Sequence, residues 1–170
     1  LVDRERIVGV DERVDRSGAV LRELDRAQVR EAGRRLVERG AESLAVSFLW
    51  SFRNDANERA AVEELSALFP DLPVMSGADL LPVIREYERT QFALLNAYTA
   101  GALDGVAGLA EELRRLGLRQ PPLLVHSGAG SISVDEGRRM PALLAESGPA
   151  AGIVAALEVC RAAGVTDAVT

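Results

Sequence analysis

Leu44-Ala45-Val46-Ser47-Phe48-Leu49-Trp50 is the stretch on which the fold turns. It is a nearly continuous apolar run of strand length, the pattern of a strand covered on both faces. Such a strand needs helices on either side, and the flanking sequence supplies them. Upstream, Asp25 with Gln28 opens a helix whose Val29, Ala32, Leu36 and Val37 share one face until Gly40 ends it. Downstream, Asp55 with Glu58 forms a second capping-box pattern, and Val62, Leu65 and Phe69 line up until Pro70. A short strand is expected over Pro73 to Ser76.

From Val83 the pattern turns helical, with Ile84, Tyr87, Gln91, Leu94, Leu95 and Tyr98 on one stripe. Gly101 bends or divides that helix before Val106, Leu109, Leu113 and Leu116 carry it on to Gly117. Leu123 to His126 reads as another buried strand, running into the loop Ser127-Gly128-Ala129-Gly130-Ser131. Ser133 with Glu136 caps a short helix, Ser147 starts the last one, Gly164 closes it, and Asp167 to Thr170 resembles the start of one more strand. At the other end, Ile7 to Leu24 alternates weakly around the turn signal Asp15-Arg16-Ser17-Gly18, a hairpin. The alternation of strands and helices predicts an α/β fold with a mainly parallel sheet flanked by helices. We expect a single lobe, with a hairpin region over 1–24 and an α/β core over 25–170.

Composition removes several classes of function. The 170 residues are 48% hydrophobic, ample for a core, and carry a net charge of -6. That balance argues against a polyanion-binding surface, so no nucleic-acid partner is expected. No apolar run reaches bilayer length and the first residues lack signal-peptide features, so the expectation is no membrane partner and a cytoplasmic location. Cys160 and His126 are single, which excludes an internal disulfide and a multi-histidine metal centre; no metal site is expected. All 20 basic residues are arginine. Without lysine there is no Walker-type phosphate loop, no Schiff base and no lysine general base.

Four clusters could carry chemistry. In Arg85-Glu86-Tyr87-Glu88-Arg89-Thr90, helical spacing sets Arg85 beside Glu88 and Arg89, and Glu86 near Arg89 and Thr90. This is either a solvated helix start with ion pairs or a patch that holds an anion and supplies a carboxylate base. The Ser127 to Ser131 loop lies after a strand, where glycine amides could face an anion, although an ordinary turn reads equally well. His126 and Ser127 are neighbours on a strand and point to opposite faces, which counts against a serine nucleophile served by that histidine. In Ser147-Gly148-Pro149-Ala150-Ala151-Gly152, Ser147 can cap, Gly148 can turn and Pro149 suits a first helical turn; the start is either a tight junction or an anion site. Trp50-Ser51-Phe52-Arg53-Asn54 reads most simply as packing, with Asn54 or Asp55 as a helix cap.

Ile84 to Thr90 followed by Leu95-Asn96-Ala97-Tyr98, and Ser147 to Gly152 downstream, resemble the hydantoinase A and 5-oxoprolinase family. Val10-Asp11-Glu12-Arg13-Val14-Asp15 and Trp50 to Asn54 add to the resemblance, which spans essentially the whole chain. It implies an actin-like, acetate-kinase-like ATPase fold, in which ATP hydrolysis drives the opening of cyclic amides such as hydantoins or 5-oxoproline. Some members carboxylate ketones instead. The fold's two glycine-rich loops, which hold ATP and magnesium, would precede Leu1 and follow the strand beginning at Ala168 to Thr170. The chain then corresponds to the central fragment of a longer subunit, expected neither to bind nucleotide tightly nor to be active alone.

The resemblance implies roles by position. Arg85 and Arg89 would stabilise developing negative charge, and Glu86 or Glu88 would position water or a substrate nitrogen. Ser127, Gly128, Gly130, Ser147 and Gly148 would shape the cofactor cleft. The implied partners are a small cyclic amide and either further copies or a second subunit. Two departures stand out: the family often has asparagine and paired glycines where this chain has Ser127-Gly128-Ala129-Gly130, and histidine where it has Asn57. The second removes a metal or acid–base role at that position. A different reading makes the chain a subunit-contact lobe without catalytic residues, using the helical stretch from Val83 to Leu116.

Overall fold

The structure, a computed structural model, describes residues 2–169, the side chain of Ala107 excepted. It forms two compact units, Leu1–Tyr98 and Thr99–Thr170.

In the first unit, strands β1 (Arg13–Val14) and β2 (Val20–Arg22) form an antiparallel hairpin. The Asp15 carboxylate organises its turn, accepting from the Ser17 hydroxyl at 2.6 Å, the Ser17 amide at 2.8 Å and the Ala19 amide at 3.0 Å. Helix α1 (Arg26–Glu38) is capped by Asp25, whose side chain accepts from the amides of Ala27 and Gln28. Gln28 turns elsewhere: its carbonyl accepts from the Asp11 amide at 2.9 Å and holds the incoming chain.

Strand β3 (Leu44–Val46) pairs in parallel with β4 (Val74–Ser76), in the register Leu44 to Val74 and Val46 to Ser76. Val29, Leu44, Val46, Ala61 and Leu65 form the buried core, with Val10, Leu36, Phe48, Val62 and Phe69 packed around it. Helices α1 and α2 (Ala56–Leu68) approach closely at Gly33, where a Cβ would sit 2.5 Å from Leu65 Cδ2 and 2.9 Å from Phe69 Cε2. Glycine is required there by space.

The strand read over Leu44 to Trp50 stops at Val46. The Phe48 amide bonds to a side chain, and Trp50 takes a left-handed backbone with φ of 60°. Helix α3 (Gly77–Leu80), capped by the Ser76 hydroxyl, leads to α4 (Glu86–Tyr98). The buried face of α4 is Arg89, Ala93, Asn96 and Ala97, whereas Tyr87 is 74% and Tyr98 87% exposed. The apolar stripe read from sequence therefore faces outward along part of its length. Polar Arg89 and Asn96 occupy the face that a hydrophobic count assigns to solvent.

In the second unit, α5 (Asp104–Arg115) is separate from α4, with a turn around Gly101 dividing the helical stretch. Strands β5 (Leu123–Val125) and β6 (Ser131–Ser133) form an antiparallel hairpin with Leu123 62% exposed, so β5 is no doubly covered strand. Helix α6 (Val134–Arg139) carries the full Ser133–Glu136 capping box. Helix α7 (Ser147–Ala163) ends at Gly164 with φ of 68°, whose amide bonds the Arg161 carbonyl while that of Val165 bonds Cys160. No residue of α7 is buried, and Ile153 and Val159 stand exposed. Asp167 to Val169 form no strand, and Thr170 lies outside the described residues.

Among the described residues the chain is thus a mixed α/β structure of helices and three two-stranded sheets. The expectation of a mainly parallel sheet is corrected: among the described residues one pairing is parallel and two are antiparallel hairpins. The turn signal at Asp15 to Gly18 marks the first hairpin in the sequence, whereas the strand at Leu123 carries no local sign of whether it pairs by a hairpin or by a crossover. No described helix is long and apolar enough to cross a membrane.

Candidate functional site

Buried charge concentrates beyond the carboxyl ends of β3 and β4. Glu58, on the first turn of α2, is fully buried. One carboxylate oxygen accepts from the Phe48 amide at 2.8 Å; the other accepts from the Ser76 hydroxyl and the Ala78 amide, each at 2.7 Å. Three segments, the exit of β3, the end of β4 and the start of α3, are tied to one side chain. Burying a carboxylate is costly unless well-aligned donors replace water, and these three donors engage both of its oxygens.

Arg89 is the matching buried cation. From α4 it donates to the Phe48 carbonyl at 2.6 Å and the Val83 carbonyl at 2.7 Å, and its guanidinium carbon lies 5.9 Å from the Phe52 ring centroid. Its Nε is buried with no acceptor. Phe48 therefore links the two charges through its own backbone, its amide on Glu58 and its carbonyl on Arg89. Ser51, itself buried, adds a hydroxyl to the same carbonyl at 2.9 Å. Gly77 leaves the room for this packing, since a Cβ there would lie 3.1 Å from Arg89 Cγ and 3.3 Å from Ser47 Oγ.

The turn held this way is strained. Trp50 accepts from the amides of Arg53 at 2.8 Å and Asn54 at 3.2 Å while held at positive φ, a conformation costly for a bulky residue. Asn54 rather than Asp55 caps α2, its side-chain oxygen accepting from Ala56, and its amide group donates to the Gly18 carbonyl at 2.8 Å. Asn57 is buried and donates to Glu12 at 2.9 Å and to the Arg22 carbonyl at 3.1 Å, a structural tie between α2 and the hairpin. Beside the turn lies an open polar cavity of about 360 Å³, walled by Ser17, Ser51, Arg53, Asn54 and Ala78 among others.

The sequence-predicted residues fall into distinct environments. Arg85 and Glu88 make an exposed ion pair at 3.1 Å. The Glu88 carboxyl is held below its usual range, first by its own backbone amide at the helix start and then by Arg85. Glu86 is half-buried, and Arg89 is removed from solvent. In the second unit the stretch 126–130 is the turn of the β5–β6 hairpin. The Gly128 amide donates to His126 Nδ1 at 3.0 Å, Ala129 to the His126 carbonyl at 2.9 Å, and Ser127 to the Leu143 carbonyl at 2.8 Å. A Cβ at Gly128 or Gly130 would meet the His126 ring at 2.7 or 2.5 Å. The glycines make room for the imidazole, and the amides of Ser127, Gly128 and Ala129 are engaged within the unit.

Ser147 is the first residue inside α7 rather than its cap, and Gly148 is helical; the left-handed turn falls on Glu146, with φ of 58°. Gly148 is exposed with open space beside it, so this helix start is the more accessible place for an anionic group. Among the described residues no three His, Cys, Asp or Glu side chains gather as metal ligands.

Glu58 and the polar cavity escaped sequence reasoning. Glu58 sits three residues after Asp55 and mimics a capping residue, and its real partners lie 10 to 20 residues away. Arg89 was singled out, but as an accessible group. A charge flanked by small residues at helical spacing (Arg89, Ala93, Ala97) was the one available signal that it points inward.

Known proteins can be set beside this geometry. A family model described as the hydantoinase/oxoprolinase N-terminal region matches residues 1–69, and one described as hydantoinase/oxoprolinase matches residues 89–170. The acetophenone carboxylase gamma subunit of Aromatoleum aromaticum is 36% identical over 140 residues, 79% of this chain and 19% of its own length. The caprolactamase subunit alpha of Pseudomonas jessenii is 32% identical over 162 residues, covering 93% and 23%. Among solved structures, nucleotide-free acetone carboxylase superposes with a TM-score of 0.83 at 27% identity, over 92% of this chain and 22% of the other. The ATP-dependent caprolactamase of Pseudomonas jessenii superposes with a TM-score of 0.76 at 30% identity, over 92% and 23%. The chain spans about a fifth of the length of these relatives.

Proposed function

We propose a role from the premise that this chain belongs to the hydantoinase/oxoprolinase family: it forms part of a longer subunit of an ATP-dependent, cytoplasmic enzyme that opens a cyclic amide. The observation that carries the reading is the match, over nearly the whole chain, to a solved ATP-dependent caprolactamase. An actin-like ATPase architecture, with this piece as a central lobe, belongs to the same proposal, as does a requirement for magnesium. ATP supplies activation of the amide carbonyl, which makes a poor electrophile open to water.

Within the chain, Arg85, exposed and paired with Glu88 at the surface, is the guanidinium of the cluster placed to meet substrate or developing charge, since Arg89 is committed to the carbonyls of Val83 and Phe48. Arg89 acts by holding the turn after β3. Glu86 and Glu88, on the first turn of α4, are the carboxylates available to position water or a substrate nitrogen. Ser147 and Gly148, at the start of α7, are where an anionic group would be received, with Ser127, Gly128 and Gly130 shaping the neighbouring hairpin of their unit. Several relatives are named as subunits, which supports a second subunit as partner.

A second reading, ATP-dependent carboxylation of a ketone, is favoured by the likeness to the acetophenone and acetone carboxylases. The deciding experiment uses the full parent enzyme with its partner subunits. Phosphate release is followed with caprolactam, hydantoin or 5-oxoproline, and separately with acetone or acetophenone plus bicarbonate. Ring-opened product supports the first reading, carboxylated product the second, and neither product with any substrate overturns both. Arg85→Ala and Glu86→Ala in that enzyme should each lower turnover about 100-fold without lowering its melting temperature. Unchanged turnover would remove them from the site.

A further inference from the structure

A second cavity, of about 220 Å³, lies in the first unit among the segment 2–10, α1, β3, α2 and α4, apart from the polar cavity beside the turn. Its walls are mostly apolar, with Val29, Leu36, Val46, Leu65 and Leu94 contributing, and the one charged residue on the lining, Arg6, is exposed to solvent. Two hydroxyls interrupt them. Ser47 Oγ and Thr90 Oγ1 both line the cavity and are hydrogen-bonded to each other at 2.7 Å. Two hydroxyls own two protons, and a mutual bond uses one. Among the described residues neither oxygen has a further hydrogen-bond partner, so one O–H remains to be satisfied beside an apolar space.

We propose that this cavity is a binding site for a small, neutral, mostly apolar molecule carrying a single hydrogen-bond acceptor, which the spare Ser47 or Thr90 hydroxyl meets. The volume fits: an apolar cavity of about 150 Å³ takes up benzene, so about 220 Å³ admits a six- or seven-membered ring bearing one substituent. The chemistry fits as well. A cationic ligand would meet only the like charge of Arg6, an anion seated beside the hydroxyls would lie on apolar walls because Arg6 stays in solvent, and a ligand without an acceptor would leave the hydroxyl unsatisfied. The inference concerns a different cavity from the groups assigned above and does not rest on the proposed reaction.

The test is an NMR titration of this chain with cyclohexanone and with methylenecyclohexane, which have nearly the same shape and differ in C=O against C=CH2. Both should bind saturably, with shifts confined to the segment 2–10, α1, β3, α2 and α4. The Ser47→Ala/Thr90→Val chain should bind cyclohexanone about fivefold more weakly and methylenecyclohexane unchanged, the size expected for one neutral hydrogen bond. Ala32→Leu, which fills the cavity from α1 and keeps both hydroxyls, should abolish both and serves if the double variant does not fold. Absence of saturable binding, equal loss of both ligands in the double variant, or binding that survives Ala32→Leu would overturn the proposal. So would binding that the chain shows and the full parent subunit lacks, because the groove would then be filled by the rest of the subunit.

Discussion

Replacing Glu58 tests whether this carboxylate is a keystone or a helix cap. In Glu58→Ala three donors lose their acceptor: the amides of Phe48 and Ala78 and the Ser76 hydroxyl. The hydroxyl can turn to another acceptor, whereas the two amides are fixed in the backbone, and each unsatisfied buried amide costs about 1–3 kcal/mol. Removing the buried charge returns part of that. The expected net loss is about 4 kcal/mol, a large fraction of the stability of a domain this size. Glu58→Gln keeps one oxygen, which can still serve Ser76 and Ala78, but turns its NH2 toward the Phe48 amide; losing that bond costs about 2 kcal/mol. A capping role on α2 alone would make Glu58→Ala cost no more than about 1 kcal/mol. The assay is urea unfolding followed by the fluorescence of Trp50, the sole tryptophan and a neighbour of the affected turn. An alanine loss near 1 kcal/mol, or equal losses for alanine and glutamine, would refute the reasoning.

Gly33→Ala should destabilise the first unit by about 1–3 kcal/mol, although alanine is the better helix former, because its Cβ must displace Leu65 and Phe69; urea unfolding of the variant checks the sign. Arg89→Met should cost less than Glu58→Ala, about 1–3 kcal/mol, since it removes two hydrogen bonds to carbonyls together with a buried charge and an orphaned Nε. A larger loss than at Glu58 would mean that Arg89 anchors more than the turn. The Asp15 carboxyl is held below its usual range, first by the Ser17 hydroxyl and then by the Ala19 amide. A lowered folded pKa means its contribution to the hairpin is complete above the ordinary aspartate range and is lost as pH falls through the lower folded value. An NMR titration of Asp15 with its midpoint at or above the ordinary value would contradict this turn geometry.

Much of the architecture was legible as local pattern. Asp25 and Ser133 cap the helices they were expected to cap, Gly164 closes α7 in a left-handed turn, and Asp15 to Gly18 make the hairpin turn. Each is decided within a few residues by dihedral preference and the nearest unfilled amide, which sequence displays directly. The misreadings share one cause. Asp55 and Glu58 have capping-box spacing, yet Glu58 serves Phe48, Ser76 and Ala78, and the capping oxygen comes from Asn54. The α4 stripe was assigned by hydrophobicity, and the buried face holds Arg89 and Asn96 because tertiary carbonyls are there to receive them. The contact of Gly128 and Gly130 with the ring of His126 likewise has no signature in the local pattern.

By itself, then, the sequence determined the helix caps at Asp25 and Ser133 and the stop at Gly164, the presence of a buried strand at Leu44, the absence of lysine from the chain and the family to which the chain belongs. Only the tertiary structure decided that β3 and β4 pair in parallel, that β5 pairs with β6 in a second hairpin, which face of α4 is inward, and that Glu58 and Arg89 meet at the backbone of Phe48. The division follows from range. Caps and turns are settled by bonds between residues a few positions apart, but a buried charge is tolerable only where donors or acceptors from distant segments converge on it, and such convergence has no local signature.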